Sequence, residues 1–90
     1  MFEYDPDKSA ANLAKHGIDF EQAQMLWIDT RLIMRATYPG EDGEIRWLAV
    51  GMIGEKLWSA IYAERDDAIR IISVRRARNR EKEAYDDQND

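Results

Sequence analysis

Cysteine is absent from this 90-residue chain, and histidine occurs once, as His16. Without cysteine the chain can form neither a disulfide nor a thiolate zinc site, which is consistent with a reducing compartment. A single histidine also leaves too few ligands for a histidine-based metal site, so we predict neither a metal nor any other cofactor. No apolar run reaches the roughly 18 residues that a membrane-spanning helix needs. These absences predict a cytoplasmic domain that does not associate with a membrane.

The composition predicts a single folded domain. The opening residues, MFEYDPDK, contain neither a basic region nor a long apolar segment, so we expect no secretory signal. Apolar residues make up 44% of the chain and charged residues 34%, which is typical of a globular domain and not of a disordered one. We predict one domain over residues 1–90, with a flexible tail at 86–90.

Positive charge is in deficit overall but is concentrated in one segment. The chain has 18 acidic and 13 basic residues, a formal net charge of -5, which argues against general affinity for nucleic acid. Yet residues 69–80 contain five arginines and no acid, and residues 81–90 contain five acids and one lysine. Because the field at a site depends on nearby charges, this basic segment can bind phosphate within an acidic protein.

Two helices are predicted near the start of the chain. Asp5 suits an N-cap, Pro6 suits the first helical position and Gly17 suits a left-handed C-cap. Asp19 and Gln22 then have the spacing of a capping box, so a second amphipathic helix should begin there and end near residue 29.

The hydrophobic period then changes to that of β-strands. We predict strands at 2–4, 31–37, 44–53, 56–64 and 69–75, turns at 38–43, 54–55 and 65–68, and a last helix at 77–85. The element order is therefore β-α-α-β-β-β-β-α. This order predicts an α+β fold with a mainly antiparallel sheet and its helices packed on one face.

The segment RIISVRRARNR carries the first group of candidate site residues. Regular alternation along its strand places Ile71 with Arg75 on one face and Val74 with Arg76 on the other. The two arginines diverge if the strand continues through both, and they reach one rim if the chain bends there. Arginine forks match phosphate geometry, so a phosphate site is one interpretation. The other is a solvated helix start whose arginines pair with Glu81 and the acidic residues that follow.

Glu44 and Arg46 form a second candidate pair, at positions i and i+2 of a predicted strand. Their side chains should point to the same face, side by side. A carboxylate held by a guanidinium is typical of a positioned general base, and equally of a structural salt bridge on a sheet surface.

Lys15 and His16 end the first predicted helix. There they can complement the negative end of the helix dipole, or they can serve as a proton donor or phosphate contact. The aromatic side chains favour core packing: we expect this of Tyr85 and of all three tryptophans, with Trp47 and Trp58 meeting across adjacent strands.

The chain resembles the BrnT toxins of bacterial type II toxin–antitoxin systems. The resemblance rests on YDPDKSAANLAKHGIDFEQA, EIRWLAVG and IRIISVRRARNREKEAY, which together span nearly the whole sequence. It implies a RelE-like fold and a metal-independent endoribonuclease that inhibits translation and growth. It also implies a BrnA-like antitoxin with a ribbon-helix-helix DNA-binding part, so that operator DNA is contacted only through the antitoxin.

The resemblance also implies roles for particular residues. Arg75 and Arg76 match the family's paired arginines and are expected to clamp the scissile phosphate, assisted by Arg46. The expected general base is Glu44 or Lys15. Further contacts with RNA are expected from Arg70, Arg78, Arg80 and Tyr85, and His16 is expected to be an acid or a structural residue.

A second function stays open at this point. A non-catalytic binding module, acting as a corepressor with its antitoxin, would carry the same basic segment and the same need for a partner. Two modes of antitoxin binding also stay open. An acidic segment of the antitoxin could cover the arginines, or the antitoxin could dock on a hydrophobic face of the sheet. A small-molecule enzyme has little support, because no phosphate loop, dinucleotide glycine pattern or metal cluster occurs.

Overall fold

A computed structural model describes residues 1–37 and 39–88 of the chain. The predicted α+β class and order of elements are confirmed. The elements are β1 (Phe2–Glu3), α1 (Pro6–His16), α2 (Phe20–Ala23), a 3-10 helix (Gln24–Ile28), β2 (Ile33–Ala36), β3 (Trp47–Ile53), β4 (Lys56–Arg65), β5 (Ala68–Arg76) and α3 (Asn79–Asp87). Residue 38 of the predicted turn and residues 89–90 of the predicted tail lie outside the described residues, and α3 extends into the remainder of that tail.

Both ends of α1 follow the local signals in the sequence. The Asp5 side chain accepts a hydrogen bond from the Asp7 N–H at 2.9 Å. Gly17 adopts φ 78° and donates its N–H to the Leu13 carbonyl at 2.9 Å. A left-handed residue of this kind ends a helix at little cost only when it lacks a Cβ.

The second predicted helix is shorter than expected. Its capping box between Asp19 and Gln22 is present, but α-helical winding ends at Ala23 and continues as a 3-10 turn to Ile28. Phe20, Ala23 and Leu26 are all buried. Their spacing of three residues matches the three residues per turn of a 3-10 helix. The 3-10 winding therefore keeps these three side chains on the side of the helix that faces the core.

The sheet has the strand order β1-β5-β4-β3-β2. Strands β2 to β5 pair antiparallel and β1 pairs parallel with β5, so the predicted mainly antiparallel sheet is confirmed. The predicted contact between Trp47 and Trp58 is wrong, because the register places Tyr62 opposite Trp47 and Gly51 opposite Trp58.

Helices cover both faces of the sheet, and the prediction of a single covered face is wrong. On the α1 face, the face that carries α1, α2 and the 3-10 helix, the core includes Phe20, Leu26 and Ala49. On the α3 face, Tyr85 of α3 packs with Val50. Successive strand residues point to opposite faces, and β3 is apolar at consecutive positions, so both faces need a cover.

A bulge in β5 changes which residues share a face. Ile61 pairs with Ser73 and Tyr62 pairs with Ile71, so Ile72 is an extra residue on β5. Ile71 and Val74 therefore lie in the same buried cluster on the α1 face, where regular alternation predicted opposite faces.

Asn12 fixes α1 to the outer edge of β5. Strand β1 pairs with β5 only at Ile69 and Arg70, which leaves the β5 backbone open at Val74. The buried Asn12 side chain donates to the carbonyls of Val74 at 2.9 Å and Ile18 at 2.8 Å, and it accepts the Val74 N–H at 3.2 Å. Helix α1 is thereby held against the C-terminal part of β5. No helix in the described residues has the length and apolarity needed to cross a membrane.

Candidate functional site

The predicted site residues lie at two opposite ends of the sheet. Glu44 contacts Arg65, the last residue of β4, and Arg76 is paired with Trp58 near the start of β4. Trp58 and Arg65 are seven positions apart on an extended strand, a span of about 23 Å. The residues expected to form one site therefore divide into two groups.

At the Arg65 end, the predicted Arg46 and Arg70 and the neighbouring Arg65 each have a carboxylate partner. Arg65 donates to Glu44 through Nε at 3.1 Å and Nη2 at 3.3 Å. Arg46 Nη2 lies 3.7 Å from the carboxylate of Asp42. Arg70 is likewise paired with the carboxylate of Glu3, at 3.7 Å.

The predicted side-by-side pair of Glu44 and Arg46 is wrong. Strand β3 begins at Trp47, so neither residue lies on a strand. The chain before it is held in turns instead: the Gly40 N–H donates to the Glu44 carbonyl at 3.0 Å, and the Glu44 N–H donates to the Asp42 side chain at 2.9 Å. These local hydrogen bonds send Glu44 and Arg46 to different partners.

At the Trp58 end, Arg75 and Glu81 form a bidentate ion pair. Arg75 donates from Nη1 to Oε1 at 2.7 Å and from Nη2 to Oε2 at 2.8 Å. Glu81, which is only 7% exposed, also accepts from the Ser59 hydroxyl and the Arg78 N–H, both at 2.8 Å. The interpretation in which the arginines pair with acids just beyond them is confirmed for Arg75.

The Arg75–Glu81 pair stays charged over the physiological range. The hydrogen bonds from Arg75 are the largest cause that lowers the pKa of Glu81, to about 2, despite the opposing effect of burial. The same contact raises the pKa of Arg75. Three of the five N–H groups of this guanidinium donate to Glu81 and to the Arg76 carbonyl, which leaves two N–H groups for a ligand.

Arg76 lies on the opposite face from Arg75. Strand β5 continues through both residues, so of the two predicted arrangements the divergent one is present. Arg75 is paired with Ser59 on the α3 face, and Arg76 is paired with Trp58 on the α1 face. The Arg76 guanidinium carbon lies 5.4 Å from the centre of the Trp58 ring, and no carboxylate of the described residues is within ion-pair distance.

Trp58 also lines an open groove at this end of the α1 face. The lining of this Trp58 groove includes Gly17, Ile18, Met25, Ile53, Lys56 and Trp58. Gly17, which lines the groove, is the C-cap of α1, and the predicted proton-transfer candidates Lys15 and His16 are the last two residues of that helix. Trp58 packs against the core as predicted, but its exposed side is also the wall of a groove.

The remaining predicted RNA contacts differ in accessibility. Arg78 and Arg80 are exposed where α3 begins. Tyr85 is 5% exposed and packs in the core of the α3 face, so the prediction of core packing is confirmed. A direct contact with RNA would require this ring to be uncovered.

Sequence reasoning did not identify the role of Asp29. Its carboxylate accepts the Tyr85 hydroxyl at 2.7 Å, the Met52 N–H at 2.8 Å and the Arg31 N–H at 2.9 Å. Burial raises its pKa, but these hydrogen bonds outweigh burial and the pKa is lowered. Only the partner at residue 31 is close in sequence, so no local signal could have revealed the link to β3 and α3.

The fold is therefore a small α+β domain that presents a groove lined by Trp58 and Lys56, with the Arg76 guanidinium over the Trp58 ring. A family model described as the ribonuclease toxin BrnT of type II toxin–antitoxin systems matches residues 4–81. The chain belongs to this family, and the resemblance inferred from its sequence is confirmed. No curated protein matches the chain. The RelE-like character of the fold stays a prediction.

Proposed function

We propose that this chain is a metal-independent endoribonuclease that binds RNA along the Trp58 groove and contacts the scissile phosphate through Arg76. The observation that carries this proposal is the position of Arg76, which is exposed, has no carboxylate partner among residues 1–37 and 39–88, and lies over Trp58. The arginines at the Arg65 end are all ion-paired, so they are less available to a phosphate.

An arginine beside a tryptophan suits single-stranded RNA. An aromatic face stacks a base of any identity, and a guanidinium binds the adjacent phosphate by charge and by paired hydrogen bonds. Arg78 and Arg80 extend the positive field along the start of α3. In this proposal Arg75 acts mainly through Glu81, by fixing the end of β5 from which Arg76 projects.

The proposed reaction uses the RNA's own nucleophile. The 2′-hydroxyl oxygen attacks the adjacent phosphorus, the P–O5′ bond breaks, and a 2′,3′-cyclic phosphate and a 5′-hydroxyl end result. A base removes the 2′ proton, an acid protonates the leaving O5′, and a cation stabilises the charge of the transition state. Arg76 supplies the cation, and Lys15 and His16, at the end of α1 that leads into Gly17 of the groove, are the proposed base and acid. Glu44 is the less favoured base, because it lies at the far end of β4.

The partner follows from the family. Membership of a type II toxin–antitoxin family implies an antitoxin. We propose that it is BrnA-like, with a ribbon-helix-helix part through which the complex contacts operator DNA. The toxin would then act in the cytoplasm on cellular RNA and slow translation and growth until the antitoxin neutralises it.

The test is inducible expression of the chain alone in a bacterial host, with growth and total RNA followed over time. We expect arrest and RNA cleavage with the natural chain, and neither with Arg76→Ala. Arg35→Ala is the matched control, because Arg35 is also exposed on a strand and has no ion-pair partner in the described part of the chain. Normal growth and intact RNA with soluble, folded natural protein would reject the proposal.

The purified chain gives a second, chemical test. Cleavage of a synthetic RNA should persist in EDTA, and the products should carry 2′,3′-cyclic phosphate ends. A substrate with a single 2′-deoxy position at the cleavage site should resist cutting. Loss of activity in EDTA, or cutting at the 2′-deoxy position, would contradict the proposed chemistry.

The corepressor function stays as the second candidate, and the Arg75–Glu81 pair is the observation that favours it. An arginine that is already bound to a buried carboxylate has a structural role, and this makes it less available as a phosphate clamp. If this function is correct, the chain leaves RNA intact but increases the affinity of the antitoxin for its operator.

A further inference from the structure

Apolar side chains are exposed next to the Trp58 groove. Ile28 is 68% exposed and Met52 is 36% exposed, and they line one groove together with Met25 and Ile53. These four residues are called the Ile28 patch below. Exposed apolar residues that share a concave surface indicate an interaction site more strongly than isolated ones do.

The Ile28 patch and the Trp58 groove are continuous. Met25 and Ile53 line both surfaces, so an occupant of the patch that extends past these residues enters the groove. At its far end such an occupant would meet Lys56 and Arg76. The combined surface is therefore apolar at one end and basic at the other.

Asp29 is the one acidic residue of the described chain that lines the groove of the Ile28 patch, and it does not change this polarity. Asp29 directs its carboxylate at the Tyr85 hydroxyl and at the N–H groups of Met52 and Arg31. The partner that fits the surface thus has an apolar segment followed by acidic side chains. An RNA strand does not match the apolar end, because its anionic phosphates gain nothing from contact with Ile28 and Met52.

We propose that the Ile28 patch is the docking surface for the antitoxin, through an amphipathic segment whose acidic end reaches Arg76 and Lys56. The segment would bury the apolar side chains and occupy the Trp58 groove, so that antitoxin and RNA exclude one another. The choice of a docking partner rests on the family, and the exclusion of RNA rests on the proposed function.

The docking test uses the antitoxin encoded by the neighbouring gene, purified and titrated into the full chain by calorimetry. Ile28→Glu combined with Met52→Glu places two charges in the patch at exposed positions outside the Trp58 groove. We expect the affinity for the antitoxin to fall by about 30-fold or more, the loss that defines an interface hot spot. Met34→Glu combined with Ile45→Glu is the matched control, since these side chains are 54% and 56% exposed elsewhere. The control should keep its affinity within about twofold.

A competition arm tests the second half of the proposal. The patch variant should cleave RNA as the natural chain does, and added antitoxin should protect RNA from the natural chain but much less from the variant. If no form of the chain cleaves RNA, the proposed function fails, and the calorimetry still decides the docking surface. Unchanged antitoxin affinity of the patch variant would overturn the proposal. A dimer of the free chain in sedimentation that the patch variant converts to monomer would assign the patch to a second copy and would overturn it too.

Discussion

Arg75 and Glu81 are joined by two hydrogen bonds of 2.7 and 2.8 Å, across the junction between β5 and α3. The carboxylate also accepts hydrogen bonds from Ser59 on β4 and from the Arg78 backbone. One side chain thus connects two strands with the first turn of the last helix. Because removal of one partner leaves the other charge buried, this junction should be sensitive to substitution at either end.

Glu81→Gln should destabilise the protein in a pH-dependent way. The pKa of Glu81 is lowered from 4.5 to about 2 in the folded chain. A carboxyl with a depressed folded pKa contributes stability above its unfolded pKa and loses it as pH falls through the folded value. We expect the variant to lose about 3 kcal/mol of unfolding free energy at pH 7, and the difference to shrink between pH 4.5 and 2. Urea unfolding at several pH values measures this.

The control for this prediction is Glu83→Gln, two residues further along α3 on its exposed side. It should change stability by less than about 0.5 kcal/mol at any pH. A pH-independent loss in Glu81→Gln would show that packing, and not ionisation, accounts for the effect.

Trp58→Leu should weaken RNA binding without unfolding the chain. Leucine keeps an apolar contact with the core but removes the ring on which Arg76 lies. Loss of one stacked base typically reduces affinity by about 5- to 150-fold. Fluorescence anisotropy with a 2′-O-methyl oligonucleotide, which cannot be cleaved, measures the change. Trp58→Phe should retain part of the affinity. Equal affinities for all three proteins would show that the ring is not part of the RNA-binding site.

Asn12→Ala should be among the most destabilising polar substitutions in α1. It leaves the N–H and carbonyl of Val74 and the carbonyl of Ile18 without their side-chain partner in the core. Unsatisfied buried groups of this kind cost about 1–3 kcal/mol each, so we expect a loss of roughly 3 kcal/mol in denaturant unfolding. Asn79→Ala, at an exposed position on α3, is the control. Similar stability of both variants would mean that water replaces the Asn12 side chain.

Tyr85→Phe should raise the pKa of Asp29. Burial raises this pKa and the Tyr85 hydroxyl opposes it more than any other contact, so loss of the hydroxyl moves the pKa upward toward its ordinary value. We expect a loss of about 1 kcal/mol near neutral pH, which becomes smaller in acid because the lost hydrogen bond favours the ionised form. Carbon-detected NMR titration of the Asp29 carboxyl checks the direction. Tyr4→Phe, whose hydroxyl has no hydrogen-bond partner among the described residues, should leave it unchanged.

The sequence alone determined the class of the fold, the order of its elements and both ends of α1. These features depend on local chemistry: Asp5 bonds a backbone N–H two residues away, and Gly17 closes the helix on Leu13. The family could also be recognised from the sequence, because its motifs are stretches of consecutive residues, which lie largely within the matched range of 4–81.

Only the tertiary structure decided which of the candidate residues meet. The register between β4 and β5 places Arg76 opposite Trp58. Because Ile72 is an extra residue in β5, Arg75 lies on the α3 face, and not on the face of Ile71. Turn hydrogen bonds separated Glu44 from Arg46, which alternation had placed side by side. Strand register depends on pairing between distant segments, and one extra residue moves every later side chain to the other face. Because β5 continues through both residues, the arginine pair that looked like one clamp in the sequence is, in the folded chain, one structural ion pair and one exposed cation.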